Sequence, residues 1–133
     1  MAILLQIHSD LRWLIVILAA VALVKFLAGW LRDASFGRFD RILGAAFNGL
    51  IDLQAALGLI LLLWNGLAQK AGFPLYRLEH MGVMLAAAVV AHLGSRWKKS
   101  GDKIRFRNSF LLILIVLGLI VLGVARLPGG WSR

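Results

Sequence analysis

Three histidines are the residues of this chain best suited to cofactor chemistry, and two of them lie at matching heights. His8 lies close to the start of the first apolar segment, and His80 lies close to the start of the third. At ~1.5 Å of rise per residue, both fall near the same end of an up-down helical bundle. Neighbouring axes ~8–10 Å apart leave a wider gap between diagonal helices, which can accept a flat macrocycle. Two imidazoles there could ligate the iron of a b-type haem. Either histidine alone could instead bond to headgroups, water or Glu79.

Arg12 lies one helical turn after His8, at an i, i+4 spacing, so one helix face can present both side chains. This arrangement would place a guanidinium beside a cofactor propionate. Arg12 also falls at a height similar to that of Asp52, which predicts an ion pair between them. Such a pair could equally be structural and fix the register of the first two helices.

A second candidate site, for a quinone or a proton, consists of His92, Asn48 and Asp52. Asn48 and Asp52 are one turn apart on the second segment, and His92 lies ~18 Å beyond His80 along the third. Ionisable groups within a membrane span are rare and are paired or functional where they occur. The alternative is that His92 is only a hydrogen-bonding partner of Arg96, Ser95 or Asn48.

The elements that position these residues follow from the composition. The 133 residues are 61% apolar with a mean hydropathy of +0.86, which is more apolar surface than so short a chain can hide from water. Four apolar segments, at 3–31, 42–64, 78–97 and 109–127, are each near the ~20 residues that cross a bilayer. Their short connections predict an all-α, integral membrane, up-down four-helix bundle that forms one domain over 1–133.

The basic residues predict the orientation of the bundle. Ten of the fifteen Lys and Arg flank the first and third connections, which should therefore be cytoplasmic. Both termini should then be extracytoplasmic. The apolar start is read as a helix, not a cleaved signal peptide, because Asp10 and Arg12 interrupt it and no basic region precedes it. Basic residues between apolar blocks do not suggest a nucleic-acid partner. The absence of cysteine excludes disulfides, thiolate metal sites and Cys-attached haem.

The segment Ile7-His8-Ser9-Asp10-Leu11-Arg12-Trp13, with Asp52-Leu53-Gln54 and Glu79-His80, resembles a family of small bacterial four-helix membrane proteins. Its members carry a His-Ser-x-x-Arg-Trp start and a Glu-His opening to the third helix, and are often labelled cytochrome b-like or uncharacterised. The resemblance covers nearly the whole chain. It implies His8 and His80 as haem ligands, Arg12 as a propionate partner and the bacterial inner (cytoplasmic) membrane as the location.

These observations lead to one main functional hypothesis and two alternatives. The main hypothesis is a small b-type cytochrome-like subunit that passes electrons between quinol and a partner complex through one haem b. Whether it is also an enzyme stays open, and a non-catalytic electron-transfer or accessory role is favoured. The first alternative is a cofactor-free accessory or structural subunit that packs against other subunits of a larger membrane complex. The second is a proton or ion path through Asp52, Asn48 and His92.

Overall fold

The computed structural model describes residues 2–132 as a bundle of four long helices. They are α1 (Ala2–Leu31), α2 (Arg38–Leu63), α3 (Leu75–His92) and α4 (Asp102–Ala125). A π-helical turn, Trp64–Ala68, continues α2, and a 3-10 turn, Leu93–Trp97, continues α3. A further 3-10 turn, Gly130–Ser132, follows α4.

Each helix packs against the next one in the chain, and α4 packs back against α1. The helices α1 and α3 therefore lie diagonally across the bundle, which confirms the predicted four-helix arrangement. We call the end that carries the α1 start, the α4 end and the α2–α3 connection the termini end. The opposite end, with the two connections 32–37 and 98–101, is called the basic end.

Three helices begin earlier than the sequence predicts: α2 at 38 instead of 42, α3 at 75 instead of 78 and α4 at 102 instead of 109. The predicted starts followed hydropathy, but backbone hydrogen bonds continue a helix through charged residues as well as apolar ones. Asp40 shows how α2 begins, since its Oδ2 accepts the backbone N–H of Gly37 at 3.0 Å. A carboxylate there satisfies a donor that the first helical turn leaves without a partner.

Aromatic rings fill the core near the basic end. Phe26, Phe36 and Phe106 contact one another, with centroids 4.9–6.3 Å apart. Gly29 lies directly against the Phe106 ring, where a Cβ would overlap the ring atoms. Farther along, fully buried alanines such as Ala19 and Ala91 allow close approach of the helices.

The outward faces of the bundle are apolar. All four helices are long and apolar enough to cross a membrane, and at most 28% of each most apolar window is buried inside the protein. Large side chains such as Ile3, Val24 and Val89 are at least 65% exposed. Soluble monomers rarely present continuous apolar surface on this scale, so the surface is that of a membrane protein.

Candidate functional site

The termini end encloses a cavity that both His8 and His80 line. His8 belongs to α1 and His80 to α3, so the two imidazoles reach this space from diagonal helices. The prediction that they share one height and one interior space is confirmed. The rest of the wall is mostly apolar. It includes Ile51, Ala55 and Gly58 from α2, Ile120 and Val124 from α4, and Leu127 just after α4.

A backbone carbonyl fixes the orientation of the His80 ring. Its Nδ1 lies 2.8 Å from the carbonyl oxygen of Gly123 on α4. Because a carbonyl can only accept, Nδ1 is the donor, and the lone pair of a neutral ring is then on Nε2. Histidines that ligate metals commonly donate the other ring N–H in this way.

Residues of α2 fix the position of His8. The backbone carbonyl of His8 accepts a hydrogen bond of 2.8 Å from Gln54 Nε2. Gly58, one turn further along α2, lies beneath the ring, and a Cβ there would be 3.2 Å from His8 Cε1. The buried Nδ1 of His8 has no hydrogen-bond partner within residues 2–132. A buried polar atom in this state is expected to have a ligand or water as its partner.

Arg12 is buried, with 7% of its surface exposed, and lines the same cavity. Its guanidinium carbon lies 5.4 Å from the ring centroid of Trp13 and 5.2 Å from that of Trp131. The two indoles also contact each other edge-on, with centroids 5.5 Å apart. Cation–π contacts of this kind stabilise a charge that has lost its hydration. The predicted i, i+4 face of His8 and Arg12 is thus present, with a positive charge at the cavity wall.

The donor set of this cavity suits a haem, but the cavity itself is small. Its volume is about 80 Å³, whereas cofactor sites usually enclose ~300–1,000 Å³. Met81 and Met84 line it, and Met84 Cε lies against Gly123. Methionine side chains are flexible and fill irregular gaps, so they are the groups that must withdraw to admit a macrocycle.

Two imidazoles are also the number of protein ligands that a haem iron can take. A porphyrin brings four nitrogen ligands of its own, so two axial imidazoles would complete the coordination of its iron.

A second, larger cavity of about 700 Å³ lies at the basic end. His92 and Asn48 line it, and His92 Nε2 contacts both carboxylate oxygens of Asp52, at 2.8 and 2.9 Å. The three residues proposed for a quinone or proton site are therefore neighbours. The His92 and Asp52 side chains are 56% and 52% exposed, so this pair lies at the surface of the bundle.

The predicted ion pair between Arg12 and Asp52 is wrong, because among the described residues the partner of Asp52 is His92. The heights of α1 and α2 residues along the bundle were estimated well, since Gln54 on α2 bonds to His8 on α1. The direction in which Asp52 points from α2 was not estimated. Residues two apart on a helix point ~200° apart. If Gln54 faces α1, Asp52 must face away from it and toward α3.

Some important contacts were not predicted from the sequence. The Nζ of Lys25 bonds to buried Asp40 at 2.6 Å, a contact that hydropathy along the chain does not indicate. Gly58 and Gly123 were not identified as partners of the histidines, because glycines in apolar helices also fit ordinary helix packing.

Comparisons of the chain with protein-family models, with curated proteins and with solved structures found no match. The functional proposals below therefore start from the geometry of the two cavities.

Proposed function

We propose that this protein is a small membrane cytochrome subunit that holds one haem b between His8 and His80. The observation that carries the proposal is the convergence of these two imidazoles, from diagonal helices, on one largely apolar cavity. Facing histidines in the core of a four-helix bundle are a recurrent way to bind haem.

The surrounding residues have distinct roles in this proposal. The Gly123 carbonyl orients the His80 ring, and Gln54 fixes the backbone that carries His8. Buried Arg12 supplies the positive charge that a propionate requires. When bound, the haem would supply one-electron redox chemistry, which the ligands and the apolar wall would tune.

The setting we propose is the bacterial inner membrane, crossed by all four helices. The excess of Lys and Arg at the basic end supports an orientation with that end in the cytoplasm and both termini outside. We propose that the bundle exchanges electrons with quinol and with a partner complex, because residues 2–132 form little besides the four long helices.

A cofactor-free accessory subunit remains the second candidate, and a specific observation favours it. The cavity of about 80 Å³ between the histidines is smaller than usual cofactor sites. In that case the broad apolar outer faces would pack against other subunits, and His8 and His80 would only bond within the bundle.

The visible spectrum of the protein, extracted in mild detergent from its native membrane, separates these two functions. We expect a reduced-minus-oxidised haem b band that disappears in His8→Ala and His80→Ala. His92→Ala is the matched control and keeps the band, because His92 lies at the other end of the bundle. Intact protein without a band, or a band that survives both substitutions, would contradict the cytochrome proposal.

A rescue experiment separates ligand loss from misfolding. In His80→Gly, free imidazole can enter the space of the lost side chain, so its addition should restore the band. A band that stays absent with imidazole, in protein whose helix content by circular dichroism is unchanged, would count against His80 as a ligand.

A further inference from the structure

The cavity at the basic end combines an apolar interior with cationic side chains. Phe26, Phe47 and Ile113, all at most 1% exposed, form part of its wall. Arg41, Lys98 and Arg105 line it as well, and come from the first turn of α2, the α3–α4 connection and the first turn of α4.

The acidic residue that lines this cavity, and the one bonded to His92, are both engaged with other partners. Asp40 lines the cavity but bonds to Lys25 Nζ at 2.6 Å and to the backbone N–H of Gly37 at 3.0 Å. Asp52 bonds to His92. The three cations of the cavity therefore have no carboxylate of the described chain bonded to them, and the cavity carries a net positive charge.

The cations and the apolar wall are arranged along the axis of the bundle. Arg41 precedes Asn48 by seven residues on α2, which is roughly 10 Å at ~1.5 Å per residue. The cationic side chains thus lie nearer the basic end than Asn48 does. The Arg105 guanidinium carbon lies 4.0 Å from the ring centroid of Phe36.

We propose that this cavity binds the headgroup of an anionic phospholipid, with the phosphate at Arg41, Lys98 and Arg105 and the start of an acyl chain along the apolar wall. Basic pockets between membrane helices on the cytoplasmic side are suited to anionic headgroups. A neutral quinone would gain nothing from three cations, and free phosphate would gain nothing from the aromatic wall. The inference rests on the proposed membrane insertion but not on haem.

The test measures the phosphatidylglycerol that stays bound to the full chain after purification in a zwitterionic detergent. The test variant is Arg41→Gln with Lys98→Gln. The matched control is Arg38→Gln with Lys99→Gln, which removes the same charge from the same two segments, at exposed residues that do not line the cavity. We expect about fivefold less retained lipid for each cavity charge removed and little change in the control.

Three further arms identify the ligand. Phosphatidylcholine should not be retained, inorganic phosphate at millimolar concentration should not displace phosphatidylglycerol, and neither should a neutral quinone analogue. Equal losses in both variants, retention of phosphatidylcholine, or displacement by phosphate or by the quinone would each overturn the proposal. Resistance of the wild-type protein to alkaline extraction from membranes checks insertion separately, and the haem band reports the proposed function independently.

Discussion

The two ends of this bundle differ in how they use their interior. At the termini end, the walls around His8 and His80 include flexible methionines, and little space is left between them. At the basic end, buried aromatic rings support a cavity nearly nine times larger, of about 700 Å³ against about 80 Å³. One end can therefore adapt to a ligand that enters, whereas the other holds an open space with a rigid wall.

The difference follows from side-chain type. Methionine has several rotatable bonds and tolerates rearrangement, but a buried phenylalanine fills a fixed volume among close-packed neighbours. The two ends should respond differently to substitution, and four sets of variants test this difference.

The largest effect is expected at the aromatic wall of the basic end. Phe106 is fully buried against Phe26 and Phe36. Phe106→Ala should lower the free energy of unfolding by about 3–5 kcal/mol. Equilibrium unfolding in mixed micelles measures the loss. The control is Phe39→Ala, since Phe39 is 57% exposed, and its effect should stay within about 0.5 kcal/mol. Similar losses for both would mean that this wall is not rigid.

At the termini end, a larger side chain at position 58 tests how tightly the residues beneath the His8 ring are packed. Gly58→Val should reduce stability by about 1–3 kcal/mol through overpacking, because even a Cβ would be 3.2 Å from the His8 ring. It should also lower the haem content if the proposed function holds. Gly49→Val is the control on the same helix, where a Cβ would meet nothing within 4 Å. If Gly58→Val unfolds with the same free energy as the wild type, the residues around His8 rearrange more easily than we expect.

At the basic end, loss of a buried ion pair should reduce stability more than loss of an exposed one. Asp40→Asn should cost about 1–3 kcal/mol, because Asp40 is 3% exposed and loses its charge-assisted bond to Lys25. Asp33→Asn removes a partner of Lys103 at 3.9 Å, with both side chains more than two-thirds exposed. That change should be worth less than about 0.5 kcal/mol. Chemical denaturation of both variants under one condition gives the comparison, and equal costs would contradict it.

The pair between Asp52 and His92 should contribute less to stability than the buried pair of Asp40 and Lys25. Both side chains are about half exposed, so in detergent Asp52→Asn should change stability by less than about 1 kcal/mol. A double-mutant cycle with His92→Gln isolates the pair. The proton path proposed for these residues stays a prediction, and proton flux in liposomes that is the same for wild type and Asp52→Asn would rule it out.

Much of the fold was predictable because hydropathy and chain length leave few alternatives. Four apolar segments with short connections can only alternate in direction, and α1 and α3 did prove to be diagonal. The starts of α2, α3 and α4 were placed too late, since a helix continues wherever its backbone bonds can form. To predict the partner of Asp52, the rotation of α2 about its own axis must be known. An estimate of height along the bundle gives no information on that rotation.

Local properties of the sequence, rise per residue and apolar surface, are enough to predict four long apolar helices and a common height for His8 and His80. The contacts between helices could be read only from the folded bundle: the Gly123 carbonyl with His80, Asp52 with His92 and Asp40 with Lys25. These contacts depend on the rotation of each helix about its axis. That rotation is set by the packing of all four helices together, not by any one of them.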